Sequence, residues 1–379
     1  MPPRSGPPAG FRARATDHLA LAVGTVKGLF LVSDGLADGP WFKGQHVPAF
    51  VEVGGRYVAA TTDPRYGPTI HSSIDGGTTW SEPTGRPIAF PESTGAALAQ
   101  VWQLHRDRRH EAAPGGSDGM PPILAGVEPA ALFRSEDGGT SFELVGGLWN
   151  HPHRERWEPG GGGLGLHTIL THPDRPERVV VGISTGGVYR SDDGGATWHP
   201  KNAGIKAVHL SNSDVDFGQC VHKVAFDAEG PDVLWLQNHW GIYRSLDAGD
   251  HWANVGRPGE PDGVPSDFGF PIVAHPDEPG TAFVFPLESD EYRCTAEGTC
   301  RVYRTSDAGE SWQPLGRGMP SSNAHLTVLR DAFDVGRSAP FPLVFGTRTG
   351  QVYASADGGE NWRLFVDNLP PILCTRVLN

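Results

Sequence analysis

The chain has 379 residues, four of them cysteine, and 31 basic against 44 acidic side chains give a net charge of -13. That balance argues against a nucleic-acid phosphate backbone as partner, and no segment approaches the roughly 18 unbroken apolar residues of a membrane span. The 51 glycines, 34 prolines and 11 tryptophans point to many short strands and tight turns around a substantial core.

Residues 1–17 are rich in Pro, Gly and Arg and lack an apolar stretch. They read as a disordered leader and not as a secretion signal, so cytoplasmic residence is the expectation. Residues 18–379 are expected to form one domain. It begins with a degenerate unit of short strands at 18–24, 28–33 and 40–44. An eight-residue pattern then returns six times: 73–80 (SIDGGTTW), 135–142 (SEDGGTSF), 191–198 (SDDGGATW), 245–252 (SLDAGDHW), 305–312 (TSDAGESW) and 355–362 (SADGGENW). The Asp residues of successive copies lie 50 to 62 positions apart, the period of one repeated supersecondary unit. Within a copy, the Asp carboxylate can accept backbone N–H groups of its own turn, and glycines such as Gly76 permit positive φ. Each turn follows a short alternating strand, as in Ile242-Tyr243-Arg244-Ser245, and the aromatic after it starts the return strand as a packing plug.

This pattern resembles the Asp-box, or BNR repeat, of sialidase-like β-propellers, which also occurs in sortilin-type receptors and photosystem II assembly factors. The resemblance implies an all-β fold, a seven-bladed β-propeller of four-stranded antiparallel blades with each box between strands three and four. The fifth blade is the clearest, with an inner strand at Val221–Asp227. The N-terminal unit lacks an inner strand, and Ile372–Leu378 is expected to supply it and close the ring. The repeat arginines Arg134, Arg190, Arg244 and Arg304 read as interblade structural residues, and the insertion at 106–122 as a flexible loop.

In such a ring the boxes share one face with the loops between strands one and two. The opposite, top face carries the interblade connections, roughly 143–166, 199–220 and 253–269, and the second-to-third loops 237–241, 286–300 and 346–350. Ligands of propellers like this generally bind at the top, so the candidates come from these stretches. Trp149, His151, His153, His239, Trp240, Tyr292 and Arg348 are candidate substrate-binding residues, with Trp157, His209 and Asp214 in the same segments. Asp216, Asp267 and Glu288 are candidate catalytic carboxylates for glycoside hydrolysis, which needs an acid and a nucleophile or base about 5 to 9 Å apart. His167, His222 and His325 each start an inner strand and are candidate ligands for a divalent transition metal. Aligning the strands puts His222 one place out of step, which turns its side chain away unless a bulge restores it.

The expected function is a ligand site in the top funnel, glycosidase-like and acting on a glycan or another small polar molecule. Two alternatives stand beside it: a metal-dependent enzyme using the funnel histidines, and a non-catalytic protein- or peptide-binding scaffold. A true sialidase is disfavoured because its Arg-Ile-Pro segment is missing. The expected partner is a small-molecule or glycan ligand, with no nucleic acid or membrane; the sequence leaves the oligomeric state open, a monomer being plausible. Cys294 and Cys300 flank a loop that a local disulfide would close, although a cytoplasmic chain more often keeps both thiols reduced.

Overall fold

Seven antiparallel sheets stand as blades around a central channel in the computed structural model, which describes residues 19–81, 85–108, 122–208 and 215–378. The expected leader at 1–17, His209, Asp214 and most of the 106–122 insertion lie outside the described residues. Inner strands, in blade order from one to seven, are Ile372–Leu378, His46–Val53, Gln100–Arg106, Leu166–Thr171, Val221–Asp227, Gly269–Ala274 and Phe333–Val335. Six blades have four strands, and blade 2 has three among the described residues. Its Ser81 N–H still donates to the Ser72 carbonyl at 2.8 Å, the bond that continues the blade after its box.

Ring closure follows the expected route. Ala20–Thr25 pairs with Gly28–Ser33 on one side and with the C-terminal strand Ile372–Leu378 on the other, which leaves no free inner edge in blade 1. Each Asp-box closes on itself. In the first copy Ser73 Oγ donates to Asp75 Oδ1 at 2.8 Å and accepts from Gly77 N–H at 2.9 Å, while Thr79 N–H and Oγ1 donate to the two Asp75 oxygens at 2.9 and 2.6 Å. These bonds hold the exposed Asp75 carboxyl down at about 2, the Thr79 hydroxyl contributing most. Alanine replaces the first glycine in two copies, and Ala248 and Ala308 adopt φ of 58° and 64°.

Three of the four repeat arginines tie blade to blade, as their position implied, whereas Arg244 bonds Glu229 and Asp227 within its own blade. Arg134 donates to the Gly194 carbonyl, Arg190 to that of Ala248 and Arg304 to that of Gly358, each on the box of the next blade. At the waist of the channel, between the inner strands, Lys223, Arg376 and Gln103 converge on the buried Asp331 carboxylate.

One expectation needs correction. The inner strand of blade 7 is Phe333–Val335, so His325 lies eight residues ahead of it in irregular chain. That segment arches over the top edge of blade 6, where Ala324 N–H bonds to the Gly298 carbonyl and Thr295 N–H to the Leu326 carbonyl. All four cysteines are free thiols, so the 294–300 loop is closed by backbone bonds and not by a disulfide. No helix among the described residues is long and apolar enough to cross a membrane.

Candidate functional site

Inner strands of blades 2 to 6 each carry a register shift near their top end. A bulge adds one residue, unpaired, and re-aims its side chain. In blades 3, 4 and 5 that residue is Trp102, His167 and His222, and in blade 6 the bulge holds Phe270. His222 is therefore level with His167: both strands bulge at the same place, so the one-place slip expected from the sequence does not occur. These large side chains occupy the upper channel. Arg330, just ahead of the blade 7 inner strand, puts its guanidinium 5.4 Å from both the Trp102 and the Phe270 ring centroids. A Cβ at Gly165 would fall 2.4 Å from Trp102 Nε1, so glycine there lets the loop close against the indole.

A cavity of about 720 Å³ opens toward the Asp-box face, lined by small side chains such as Thr168, Ala225 and Ala274 together with large ones such as Phe50, Phe226 and Phe333. The sequence argument directed attention only to the opposite face. The cavity walls mix His105, Arg108, Lys223, Asp331, Arg337 and Arg376 with apolar groups.

On the top face, Cys220, His222 and His239 come together. Cys220 Sγ stands 3.8 Å from His222 Nε2 and 3.7 Å from His239 Nδ1, and the three atoms lie within 4.8 Å of one another. Cys220 and His222 alternate at the head of Val221–Asp227, while His239 follows the paired strand Gly230–Asn238 and donates its N–H to the Cys220 carbonyl at 2.9 Å. The outer ring nitrogens are also held. His222 Nδ1 donates to the Gly269 carbonyl at 2.5 Å, and His239 Nε2 meets Asp290 Oδ2 at 3.1 Å. Burial pushes the Cys220 thiol up while the Arg330 and Arg293 charges pull it back, and burial, then Arg330, keeps His222 neutral well below the usual histidine range.

Residues 189–200 match the BNR/Asp-box repeat, and the box geometry recurs in every blade from 2 to 7. The chain is an Asp-box propeller. No curated protein matches its sequence. Among solved structures, an ancestral GH74 enzyme is similar at 16% identity and a TM-score of 0.55, covering 88% of this chain, which spans 38% of that one. YCF48 bound to D1 peptide is similar at 14% identity and a TM-score of 0.50, covering 89% of this chain and 85% of that one. At such identities the likeness concerns the fold alone.

The propeller disperses most of the sequence candidates. Trp149 is buried against Phe90 and capped by Arg154 at 3.6 Å, so it packs blades together and offers no free face to a sugar. His151 and His153 pack edge to face, and His153 Nδ1 and Trp157 Nε1 both meet the buried Tyr189 hydroxyl at 3.0 and 3.1 Å. Asp216 is exposed beside a cavity of about 390 Å³ that it shares with Lys201 and Asp250. Asp267 is half-buried, and burial raises its carboxyl. Glu288 is exposed, its N–H bonded to the Cys294 carbonyl. These three carboxylates answer to different neighbours. Tyr292 hydroxyl and His325 Nδ1 bond at 2.8 Å, and Arg348 is half-buried with Nη1 unpartnered. Of the three metal candidates only His222 joins a cluster, because both His167 nitrogens are taken by the Val221 carbonyl at 2.9 Å and Thr168 Oγ1 at 3.2 Å. Trp240 packs tilted against His239, with ring centroids 4.4 Å apart. Sequence reasoning missed Cys220 and Arg330.

Proposed function

We propose that the top-face funnel recognises a small polar ligand through a negatively charged group, a carboxylate-bearing sugar being the class it fits best. One observation carries this reading. Arg330 lies between the Trp102 and Phe270 rings, its Nε is buried without a hydrogen-bond partner, and no carboxylate among the described residues pairs with it. Burial disfavours its charged form, offset only in part by Cys220, Asp331 and Glu128, and a desolvated cation without a hydrogen-bonded partner is costly. A ligand carboxylate supplies the bidentate partner that a planar guanidinium is shaped for. Arg293, 5.9 Å from the Phe270 ring, adds a second cation at the rim, and the flanking aromatic rings suit the apolar face of a sugar.

Glucuronate and galacturonate, titrated by calorimetry beside glucose and galactose, test the reading. Binding of the acids and not of the neutral sugars is expected. Arg330→Met should weaken it by about 10- to 100-fold, the worth of a charged hydrogen bond. Equal binding of acids and neutral sugars, or an unchanged affinity in Arg330→Met, would overturn it. Turnover of nitrophenyl glucuronides by wild type and Asp267→Asn then reports whether recognition leads to hydrolysis.

A further inference from the structure

We infer that Cys220, His222 and His239 bind a transition-metal ion, and that zinc is the ion their donor set fits. The inference goes beyond ligand recognition by Arg330 and stands on different residues.

Spacing is the first support. Zinc binds thiolate at ~2.3 Å and imidazole at ~2.05 Å, so bond angles between tetrahedral and trigonal place sulfur and nitrogen about 3.5 to 3.8 Å apart. Cys220 Sγ is 3.8 Å from His222 Nε2 and 3.7 Å from His239 Nδ1. These separations are long for a thiol hydrogen bond but are those of two ligands on one ion.

Proton placement is the second. The Gly269 carbonyl can only accept, so His222 carries its hydrogen on Nδ1 and turns the Nε2 lone pair toward the sulfur. Asp290 accepts from His239 Nε2 in the same way, which turns the Nδ1 lone pair toward the sulfur as well. Two lone pairs thus face one thiol, which has one proton to give. A Cys–His–Asp nucleophile arrangement uses His239 and Asp290 but leaves His222 Nε2, buried with its ring 2% exposed, facing an electron-rich sulfur without a donor. A cation between the three atoms satisfies all of them.

Support from outside the ligands is the third. Metal-bound histidines characteristically give their other N–H to a carboxylate or a backbone carbonyl, which fixes tautomer and ring orientation. This site has one of each, in Asp290 and Gly269. The backbone bond from His239 N–H to the Cys220 carbonyl locks two ligand-bearing segments together. Phe268, 5.7 Å from the His222 ring and 4.9 Å from the His239 ring, walls the site with an apolar face. Three protein ligands leave a fourth position for water or an oxygen of a bound ligand.

The test uses the full chain stripped with a chelator and titrated with Co²⁺ or Zn²⁺. One equivalent of Co²⁺ should bind, giving the intense visible bands of four-coordinate cobalt and a near-ultraviolet thiolate charge-transfer band, and Zn²⁺ should displace it. Cys220→Ser should abolish the charge-transfer band. Asp290→Asn changes a side chain that is 51% exposed and so leaves the core untouched; it should weaken binding about 10- to 100-fold, the usual effect of removing an outer partner. Cys294→Ser should leave uptake unchanged, while Arg330→Met, which removes a cation acting on Cys220 and His222, should keep the one-to-one stoichiometry, which separates this site from the anion site. The inference falls if the stripped protein takes up neither ion at tenfold excess, if uptake is the same in Cys220→Ser and Asp290→Asn as in wild type, or if Cu²⁺ binds and zinc does not.

Discussion

Lys223 Nζ stands 2.7 Å from Asp331 Oδ1 at the waist of the channel, and Arg376 Nη2 reaches the same oxygen at 2.7 Å. One carboxylate thereby joins the inner strand of blade 5 and the C-terminal strand of blade 1 to the chain entering blade 7. Burial alone would raise the Asp331 carboxyl, but the two cations outweigh it and hold it well below the usual range. Removing one partner of a buried ion pair leaves an uncompensated charge and costs about 3–5 kcal/mol. Asp331→Ala strands two cations and should sit at the upper end of that range in urea unfolding. Lys223→Met should cost less, because Arg376 still neutralises Asp331. A loss under about 1 kcal/mol for Asp331→Ala would mean that water, and not the carboxylate, carries these charges.

Closure of the ring gives a second prediction. Ile372–Leu378 pairs with Ala20–Thr25 along its whole length and brings Arg376 to the waist. Deleting residues 372–379 exposes the inner edge of blade 1 and removes one of the two cations on Asp331. An unpaired central edge is a template for association. The shortened chain should lose its single cooperative urea transition and elute as aggregates on size exclusion. A monomer with one unchanged transition would show that the N-terminal strands close the ring unaided.

The boxes and the closing strand were legible because both are written in local or self-evident patterns. Ser73, Asp75, Gly77 and Thr79 bond within four residues of one another, so their chemistry can be read from a short window of sequence. Ile372–Leu378 is one more strand pattern beside a unit that lacks one. The waist was not legible, since Gln103, Lys223, Asp331 and Arg376 lie far apart in the chain and meet only through the ring. The top cluster was legible in part. His222 was singled out, yet its direction depends on a bulge after Val221 that no residue type marks. Cys220 and His239 carried an available signal: a Cys-x-His pair opening one strand of a hairpin, with histidine just past the end of its partner. His325 was misplaced because an irregular segment with alternating apolar residues reads as a strand until its backbone bonds are known.

Alanines in the boxes provide a backbone prediction. A left-handed conformation costs a non-glycine residue about 1–2 kcal/mol, while glycine loses about 0.5–1 kcal/mol through the greater entropy of its unfolded chain. Ala308, partly exposed at φ 64°, should gain about 0.5 kcal/mol on replacement by glycine. Ala248 has the same strain but is 5% exposed, and losing a buried methyl removes about 0.8 kcal/mol, so Ala248→Gly should be nearly neutral. Gly76→Ala, where the added Cβ would meet nothing within 4 Å, isolates the backbone effect and should cost about 1 kcal/mol. Equilibrium unfolding of the three variants checks the order, and a stabilised Gly76→Ala would contradict it.

His105 sets the expected response to acid. Its Nε2 donates to Thr171 Oγ1 at 3.1 Å, and Thr171 in turn donates to the Arg106 carbonyl. Burial, then the charges of Arg337, Arg108 and Lys223, push its pKa from 6.5 down to about 3, with Asp107 opposing only weakly. The unfolded chain binds a proton below pH 6.5 that the folded chain refuses until about pH 3. Stability therefore rises with pH throughout that window and is fully present above it. Between pH 7 and pH 5 this one histidine should remove about 2 kcal/mol, and the buried His167 acts in the same direction. Replacing His105 by Gln keeps a donor for Thr171 without the titration, so the urea midpoint of His105→Gln should fall less steeply between those two pH values than that of wild type. Parallel curves for the two proteins would place the acid sensitivity elsewhere in the ring.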